Sequence, residues 1–410
     1  MPAWEKRITY MAKTSDQYDV VIVGGGLSGL SLACLLGENE GLRIACLDRE
    51  DPQKQIANDE RTTAISYGSS LILERAGVWD TMLPHACPID DIEILDSGSP
   101  VLLEFLSREV EGKSFGWILH NAHIRRTLVD KVKSLKNVDH IAPAQVSDFI
   151  APETPDDDVQ AILADGRRLS ARLIVGADGR GSFVRHWLDI PSRRWSYGQR
   201  AVICNVAHAN PHGNKAVEHF WPEGPFAVLP MTDDAQGRHR SGLVFTEHGP
   251  EKKSLMRLND ADFEAAVAEK FPLEYGKIEI AGPRQCYPLG LIHASRYIGP
   301  RMALVADAAH GIHPIAGQGL NLGFRDLGEL GRLIGDAAED GTDPGSPALL
   351  ETYLRRRRPD NMAMIAVTDG FVRLFSNGVL PIGLARRAGL RAVSRLPAAK
   401  RFFMRHAMGE

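Results

Sequence analysis

Three places along this chain bring glycines or an acidic residue to the point where a buried strand turns into a helix. The first is 18-YDVVIVGGGLSGLSLACLLGENEGLRIACLDRE-50. Val20 to Val23 form a β-branched run of the kind a buried parallel strand uses. Gly24, Gly26 and Gly29 complete G-x-G-x-x-G, and a helix is predicted from about 27 to 36. The first glycine permits a tight turn, the second lets a diphosphate reach the backbone, and the third lets helix pack on strand. The helix would point its positive end at the phosphates. A second apolar strand, Arg43 to Leu47, ends at Asp48, where a carboxylate can accept hydrogen bonds from a ribose. A glycine-rich surface loop would leave that acid and its strand without a purpose. The motif alone does not separate NAD from FAD.

The second place is 171-ARLIVGADGRGSFVR-185, where a strand runs into Asp178-Gly179. Taken alone this equals a plain turn, because Asp-Gly is common in turns. The third is 302-MALVADAAHGIHPIAGQGLNLGFRDL-327. It repeats the pattern: a strand, Asp307, a loop with Gly317 and Gly319, then a helix from about Gly319. The N-H groups opening that helix, at Gly319, Leu320 and Asn321, form an anion site by construction. Pro314 offers no competing N-H. His310 and His313 read as loop histidines paired to backbone rather than as metal ligands, since no carboxylate stands at a useful offset. Proton handling by His313, next to Pro314, is the alternative.

These elements need a sizeable frame. At 410 residues, two domains are expected. A net charge of -4 argues against a nucleic-acid binder. No apolar run of about 18 residues suggests a spanning helix. The first 17 residues lack a secretory core and read as a flexible lead. The five cysteines are dispersed without C-x-x-C, which points to reduced thiols in the cytoplasm. Residues 89–118 and 200–292 are strand-rich. Phe220, Trp221, Phe226 and Leu229 are pocket candidates there, with core packing as the competing role. From 371 to 410 there are eight Lys or Arg and one acid. Arg386, Arg387, Arg391 and Arg395, with Leu384, Leu390, Val393 and Leu396 between them, outline a basic amphipathic helix. It suits an anionic membrane or, equally, packs on the rest of the chain. The run Arg355 to Arg358, which ends at Pro359, reads as an exposed helix segment, with nucleic-acid contact as a remote alternative.

Together the three motifs resemble the flavoprotein aromatic hydroxylases, the single-component monooxygenases. The segment 59-DERTTAISYGSSLILERAGVW-79, the pattern H-P-x-A-G-Q-G-x-N-L-G-x-x-D, the stretch 369-DGFVRLFSN-377 and the late Ala407-Met408-Gly409 are similar to the ubiquinone-biosynthesis hydroxylases. The resemblance implies an α/β fold, with a Rossmann-like FAD-binding domain, an inserted mixed β-sheet substrate domain and a helical C-terminus. The expected segments are 18–88, 112–185 and 282–345 for the FAD domain, 89–111 and 186–281 for the substrate domain, and 346–410 for the helical end. With one G-x-G-x-x-G instead of two, FAD stays bound and NAD(P)H visits as a transient electron donor.

The resemblance also assigns roles. Gly24, Gly26, Gly29 and Asp48 hold the ADP half of FAD. Asp178 belongs to the motif associated with FAD and pyridine nucleotide. Arg61 meets the pyrophosphate. Asn121, Arg125 and Arg126 open the helix that carries further cofactor contacts, with the choice between the two arginines open. Asp307 contacts the ribityl or pyrophosphate side, Gly317 and Gly319 admit the backbone, and Leu320 and Asn321 meet the ring. Pro314 would line the oxygen-reacting face, and His313 beside it in sequence is the candidate for proton handling. One departure stands out: the family has Gly-Asp where this chain has Ala306-Asp307, and alanine costs stability if that position takes positive φ.

The implied activity is ring hydroxylation of a polyprenyl phenol by O2 through a flavin C4a-hydroperoxide, which requires a charge-stabilised flavin edge and exclusion of water. Other ubiquinone-pathway proteins are candidate partners, and the expected location is cytoplasmic, peripheral on the inner face of the membrane. The competitors are a soluble hydroxylase of small aromatic acids, an oxygen-independent isoprenoid reductase, and a non-catalytic flavoprotein subunit.

Overall fold

Strand Asp16–Val23 begins the described chain and lies at the centre of the first sheet. The structure is a computed structural model, described over residues 16–97, 99–249, 254–313, 317–375 and 380–409. The strand starts two residues inside the expected flexible lead; the rest of that lead, residues 1–15, lies outside the described residues.

Strand Asp16–Val23 pairs in parallel with Ile44–Leu47 on one side and Arg168–Gly176 on the other. Val138–Ile141 and Met302–Leu304 extend the parallel order outward. Val20, Val21 and Ile22 are buried, as are Ile44 to Leu47 and Leu173 to Val175. Such unbroken apolar runs are what a parallel sheet covered on both faces demands. Helices Leu27–Gly37 and Gln318–Glu339 pack against each other and into this core.

The second sheet has nine strands. Ser192–His208 is its spine, antiparallel to His239–His248 and to Gln285–Ala294. Gly224–Met231 and Lys215–Trp221 follow, and Lys215–Trp221 runs parallel to Asp91–Asp96. The sheet is therefore mixed, and its strands are interleaved in sequence with those of the first sheet. One boundary differs from expectation. Gln285–Ala294, assigned by sequence to the FAD-binding segments, pairs along its length with the spine of the second sheet. Its partly alternating apolar pattern does not say which sheet it joins; only pairing does. A small third sheet joins Thr62–Ser66, Gly116–His120 and Cys87–Ile89.

The C-terminal region is helical: Pro347–Phe375, Leu380–Arg395 and Pro397–Met408. Two expectations about it are corrected. Helix Pro347–Phe375 runs on through Pro359, and within the basic run, read as exposed, Arg357 is buried, bonded to Asp326, Asp360 and Asn361. Arg386 and Arg387 do not form a free cationic face either. Both ion-pair with the buried Asp96 of the second sheet, while Leu390 and Val393 pack beside Met404 and Met408. Arg391, Arg395, Leu384 and Leu396 remain exposed.

Candidate functional site

The three glycines of the first motif divide as their chemistry requires. Gly24 takes φ +112°, and a Cβ there would lie 2.5 Å from the Ala177 carbonyl oxygen. A Cβ on Gly29 would lie 1.8 Å from the Gly24 oxygen. Those two serve the turn and the helix–strand contact. Gly26 has open space where a Cβ would be and faces the cavity, as a backbone that receives a ligand must.

Around this turn, Arg125 is buried and donates to the Gly25 carbonyl at 3.1 Å and to Gln55 at 2.6 Å. Arg126 is exposed, so Arg125 is the inward arginine. Asp48 is buried beside Gly25, accepts the Glu50 N-H at 2.9 Å, and is not among the residues that line the cavity. Arg61 lines the cavity, its guanidinium forked onto Asp59 by two bonds of 2.6 Å. Burial alone would raise the Asp59 carboxyl; hydrogen bonds and charge from Arg61 reverse this and hold it below its usual range. Asn121 also donates to Asp59 and accepts from Thr63 at 2.6 Å, so its amide is fixed at the helix start.

The second motif turns out to clamp the third. Asp178 spends one carboxylate oxygen on the Phe183 and Val184 N-H groups, at 2.6 and 3.2 Å, and does not line the cavity. Its place is support of the turn. The next residues reach across instead: Arg180 donates to the Ile312 and Gly290 carbonyls, and fully buried Arg185 donates to the Ala308 carbonyl at 2.6 Å. Sequence reading singled out neither arginine as a site residue, although both stand in the quoted motif.

In the third motif Ala306 adopts φ +51°. The condition attached to the alanine is met, and the position carries left-handed strain that glycine would not. Asp307 opens onto the cavity, its side chain half exposed, 3.8 Å from Arg180. Gly317 takes φ +66° and caps helix Gln318–Glu339, while Gly319 faces open space. Leu320 lines the cavity. The Asn321 side chain does not: it is buried, accepts the Ser66 N-H at 2.9 Å and donates to the Ala64 and Gly317 carbonyls. Its amide ties strand Thr62–Ser66 to the helix.

The histidines differ from expectation. His310 pairs with a carboxylate rather than with backbone alone, its Nε2 2.5 Å from Asp326. Asp326 also accepts from the Ala306 N-H, Arg357 and Asn361. Burial would raise this carboxyl, but His310 and Arg357 outweigh it and hold it far below the usual range. The sequence spacing hid this network, because its members come from four separate elements. His313 is buried with no hydrogen-bond partner for either ring nitrogen among the described residues. Its ring meets Tyr197 edge-on, and burial lowers its pKa to about 4, so it is neutral at pH 7. Pro314 lies outside the described residues.

Gly26, Arg61, Asn121, Arg125, Arg180, Asp307, His313 and Leu320 border one cavity of about 1410 Å³. Its far wall is the second sheet, with Ile94, Phe105, Ala216, Phe220, Ala227 and Leu229 facing in. Of the four pocket candidates, Phe220 and Leu229 line it; Trp221 and Phe226 point to the opposite face and join the core there. Strand alternation makes that division. The C-terminal helices close the cavity with Phe371, Leu390, Phe402 and Ala407. Gly409 touches Gly68, so the tail and the segment after D-x-R meet although they lie far apart in the chain.

The arrangement suits a flat, diphosphate-bearing dinucleotide. Gly26, Gly179 and Gly319 border the cavity without obstruction, two long helices begin there at Leu27 and Gln318, and Arg61, Arg125 and Arg180 supply positive charge. Comparison with known proteins agrees. The family model described as FAD binding domain matches residues 17–368. The chain is 44% identical over 393 residues to the ubiquinone hydroxylase UbiL of Rhodospirillum rubrum, covering 95% of this chain and 89% of that protein. It is 32% identical to the 3-demethoxyubiquinol 3-hydroxylase of Escherichia coli, covering 97% and 100%. Among solved structures, PqsL of Pseudomonas aeruginosa, a probable FAD-dependent monooxygenase, superposes with a TM-score of 0.76 at 23% identity, covering 92% of this chain and 99% of that one. The p-nitrophenol 4-monooxygenase PnpA of Pseudomonas putida gives 0.77 at 19%, covering 96% and 98%. The chain belongs to the FAD-binding flavoprotein hydroxylases, in the branch that includes the ubiquinone-biosynthesis enzymes.

Proposed function

We propose that this protein is an FAD-dependent monooxygenase that hydroxylates the aromatic ring of a polyprenyl phenol in ubiquinone biosynthesis, with O2 as co-substrate and NAD(P)H as transient reductant. The observation that carries the reading is the continuity of one cavity from the dinucleotide glycines to an apolar sheet wall. Among the described strand residues of the second sheet that line it there is no lysine or arginine to receive a ring carboxylate, which favours a prenylated phenol over a small aromatic acid. The names of the relatives point the same way.

When bound, FAD supplies the reduction of oxygen that an unassisted side chain cannot perform. The chain supplies the rest. Gly26, Arg61, Arg125 and Asn121 would hold the diphosphate and ribityl side, with Asp48 and Asp59 bracing them. The N-H groups at the start of helix Gln318–Glu339 would stabilise negative charge on the ring edge. His313, neutral and without a partner among the described residues, would take or give a hydrogen bond at the reacting side, next to Pro314. Phe220, Phe371 and Leu390 would keep water away. Asp307→Ala is expected to strip FAD; retention of full occupancy would remove Asp307 from the cofactor site.

Peripheral contact with a membrane is part of the proposal. No helix among the described residues is long and apolar enough to cross one. Leu384, Leu396 and Phe402 are each more than half exposed on the helices that close the cavity, where a lipid-borne substrate would enter.

The decisive experiment is quinone profiling in a bacterial strain lacking this protein. Accumulation of a prenylated ring short of one hydroxyl is expected. Unchanged ubiquinone would transfer the protein to the hydroxylases of small aromatic acids.

A further inference from the structure

The apolar wall of the cavity contains one acid. Glu218 lies on strand Lys215–Trp221 and lines the cavity between Ala216 and Phe220, which flank it on the same face. Its neighbours across the strands are Ala227 and Ile94, so neither adjacent strand offers it a cation or a donor. The lysine of its own strand, Lys215, is paired to Glu93 and Glu274. Among the described residues no hydrogen bond reaches the Glu218 carboxylate. Arg386, the cation lining the cavity from the C-terminal helices, is already bound to Asp96. Glu218 is partly buried where it faces the cavity, and the loss of solvation there raises the carboxyl to about 7.

A carboxyl group on an apolar wall, without a structural partner, is a costly feature for a fold to keep. Its alternation partners on the same face are alanines and large apolar groups, any of which would pack there. What it gains from the cavity is a ligand.

We propose that Glu218 anchors the substrate ring by accepting a hydrogen bond from the hydroxyl of a neutral phenol, and that it sets specificity by repelling rings that carry a carboxylate. The inference rests on the proposed hydroxylase reading and names the substrate feature that is recognised. A hydrogen bond from a phenol to a carboxylate is charge-assisted and places electron density on the ring, the property that ring hydroxylation by an electrophilic oxygen needs. An aromatic acid brought to the same wall would set two carboxylates together in an apolar chamber. Glu218 is thus a positioning and selecting residue, distinct from the groups that hold the cofactor.

The test uses the FAD-loaded full chain and three probes: 2-prenylphenol, its methyl ether, and 4-hydroxybenzoate. Binding is read by calorimetry, with KM and kcat for 2-prenylphenol and FAD occupancy measured alongside. The wild type is expected to prefer the phenol to its ether by about 10-fold, the value of one hydrogen bond to a charged group. It should bind 4-hydroxybenzoate more weakly than either. Glu218→Leu should bind phenol and ether equally, with KM for the phenol raised about 10-fold and FAD occupancy unchanged. Glu218→Gln, which keeps an acceptor and loses the charge, should retain part of the preference and gain affinity for 4-hydroxybenzoate. A Glu218→Leu protein that still prefers the phenol 10-fold overturns the anchor while leaving the hydroxylase reading intact. A wild type that binds 4-hydroxybenzoate alone overturns both.

Discussion

The two sides of the cavity are built by different means. The cofactor side consists of backbone: glycines without obstruction, helix starts and carbonyls held by arginines. The opposite side consists of side chains projecting from alternate positions of a sheet, closed over by helices from the chain terminus. Backbone must approach within hydrogen-bond distance of a diphosphate, which leaves no tolerance for a Cβ. An apolar wall only has to exclude water and match volume, and many side chains do that. The cofactor side should therefore break at single atoms, and the substrate side should mostly retune.

The largest effect is expected at Gly29. Its Cβ position lies 1.8 Å from a backbone oxygen, so Gly29→Val should cost more than about 4 kcal/mol and yield protein without FAD. Absorbance of the purified flavin and thermal unfolding would check this. A FAD-loaded, stable Gly29→Val protein would contradict the close packing on the cofactor side.

Asp326→Asn comes next. It removes the charge that His310 and Arg357 share and that holds the Ala306–Asp307 turn, at a cost of about 3 kcal/mol. Because the folded carboxyl is depressed, its stabilisation is present above the unfolded pKa and is lost as pH falls through the folded one. The variant and the wild type should therefore converge in stability only in strong acid.

Asp96→Ala tests the opposite side. It strands Arg386 and Arg387, and helix Leu380–Arg395 should loosen, with faster hydrogen exchange there, while FAD content holds. Loss of FAD in step with that exchange would mean that the two sides are one unit.

Glu218→Gln should have a smaller effect, opposite in pH. A raised folded pKa means that stability falls as pH rises from about 4.5 through about 7, the range in which the unfolded chain has already lost its proton. Removing the charge should raise stability at pH 8 by about 1 to 2 kcal/mol, with no gain at pH 4. Denaturant melts at the two pH values measure it. The smallest change is Ala306→Gly, expected to stabilise by up to about 1 kcal/mol by relieving φ +51°.

How much of this was legible follows the same division. Gly24, Gly29 and Gly317 could be read because each role is local: a turn, a close approach or a helix start spans a few residues. The inward face of the second sheet was half readable. Alternation separates Phe220 from Trp221 but does not tell which of the two faces meets the cavity. Asn321 and Asp178 were placed near the cofactor by their motifs, yet their side chains serve neighbouring backbone, because a motif records position and not the direction of a side chain.

The amino-acid sequence by itself determined the dinucleotide turn, since that depends on residues close together in the chain, and the resemblance its motifs carry implied the flavin class and the mixed α/β plan. Tertiary structure alone decided that Asp326 meets His310 and Arg357, that Asp96 captures Arg386 and Arg387, that Gly409 closes on Gly68, and that Glu218 stands alone among apolar neighbours. Each of those is a meeting or an isolation between distant segments. A buried charge has its partner chosen by packing in three dimensions, and its energy depends on what surrounds it after the chain has folded.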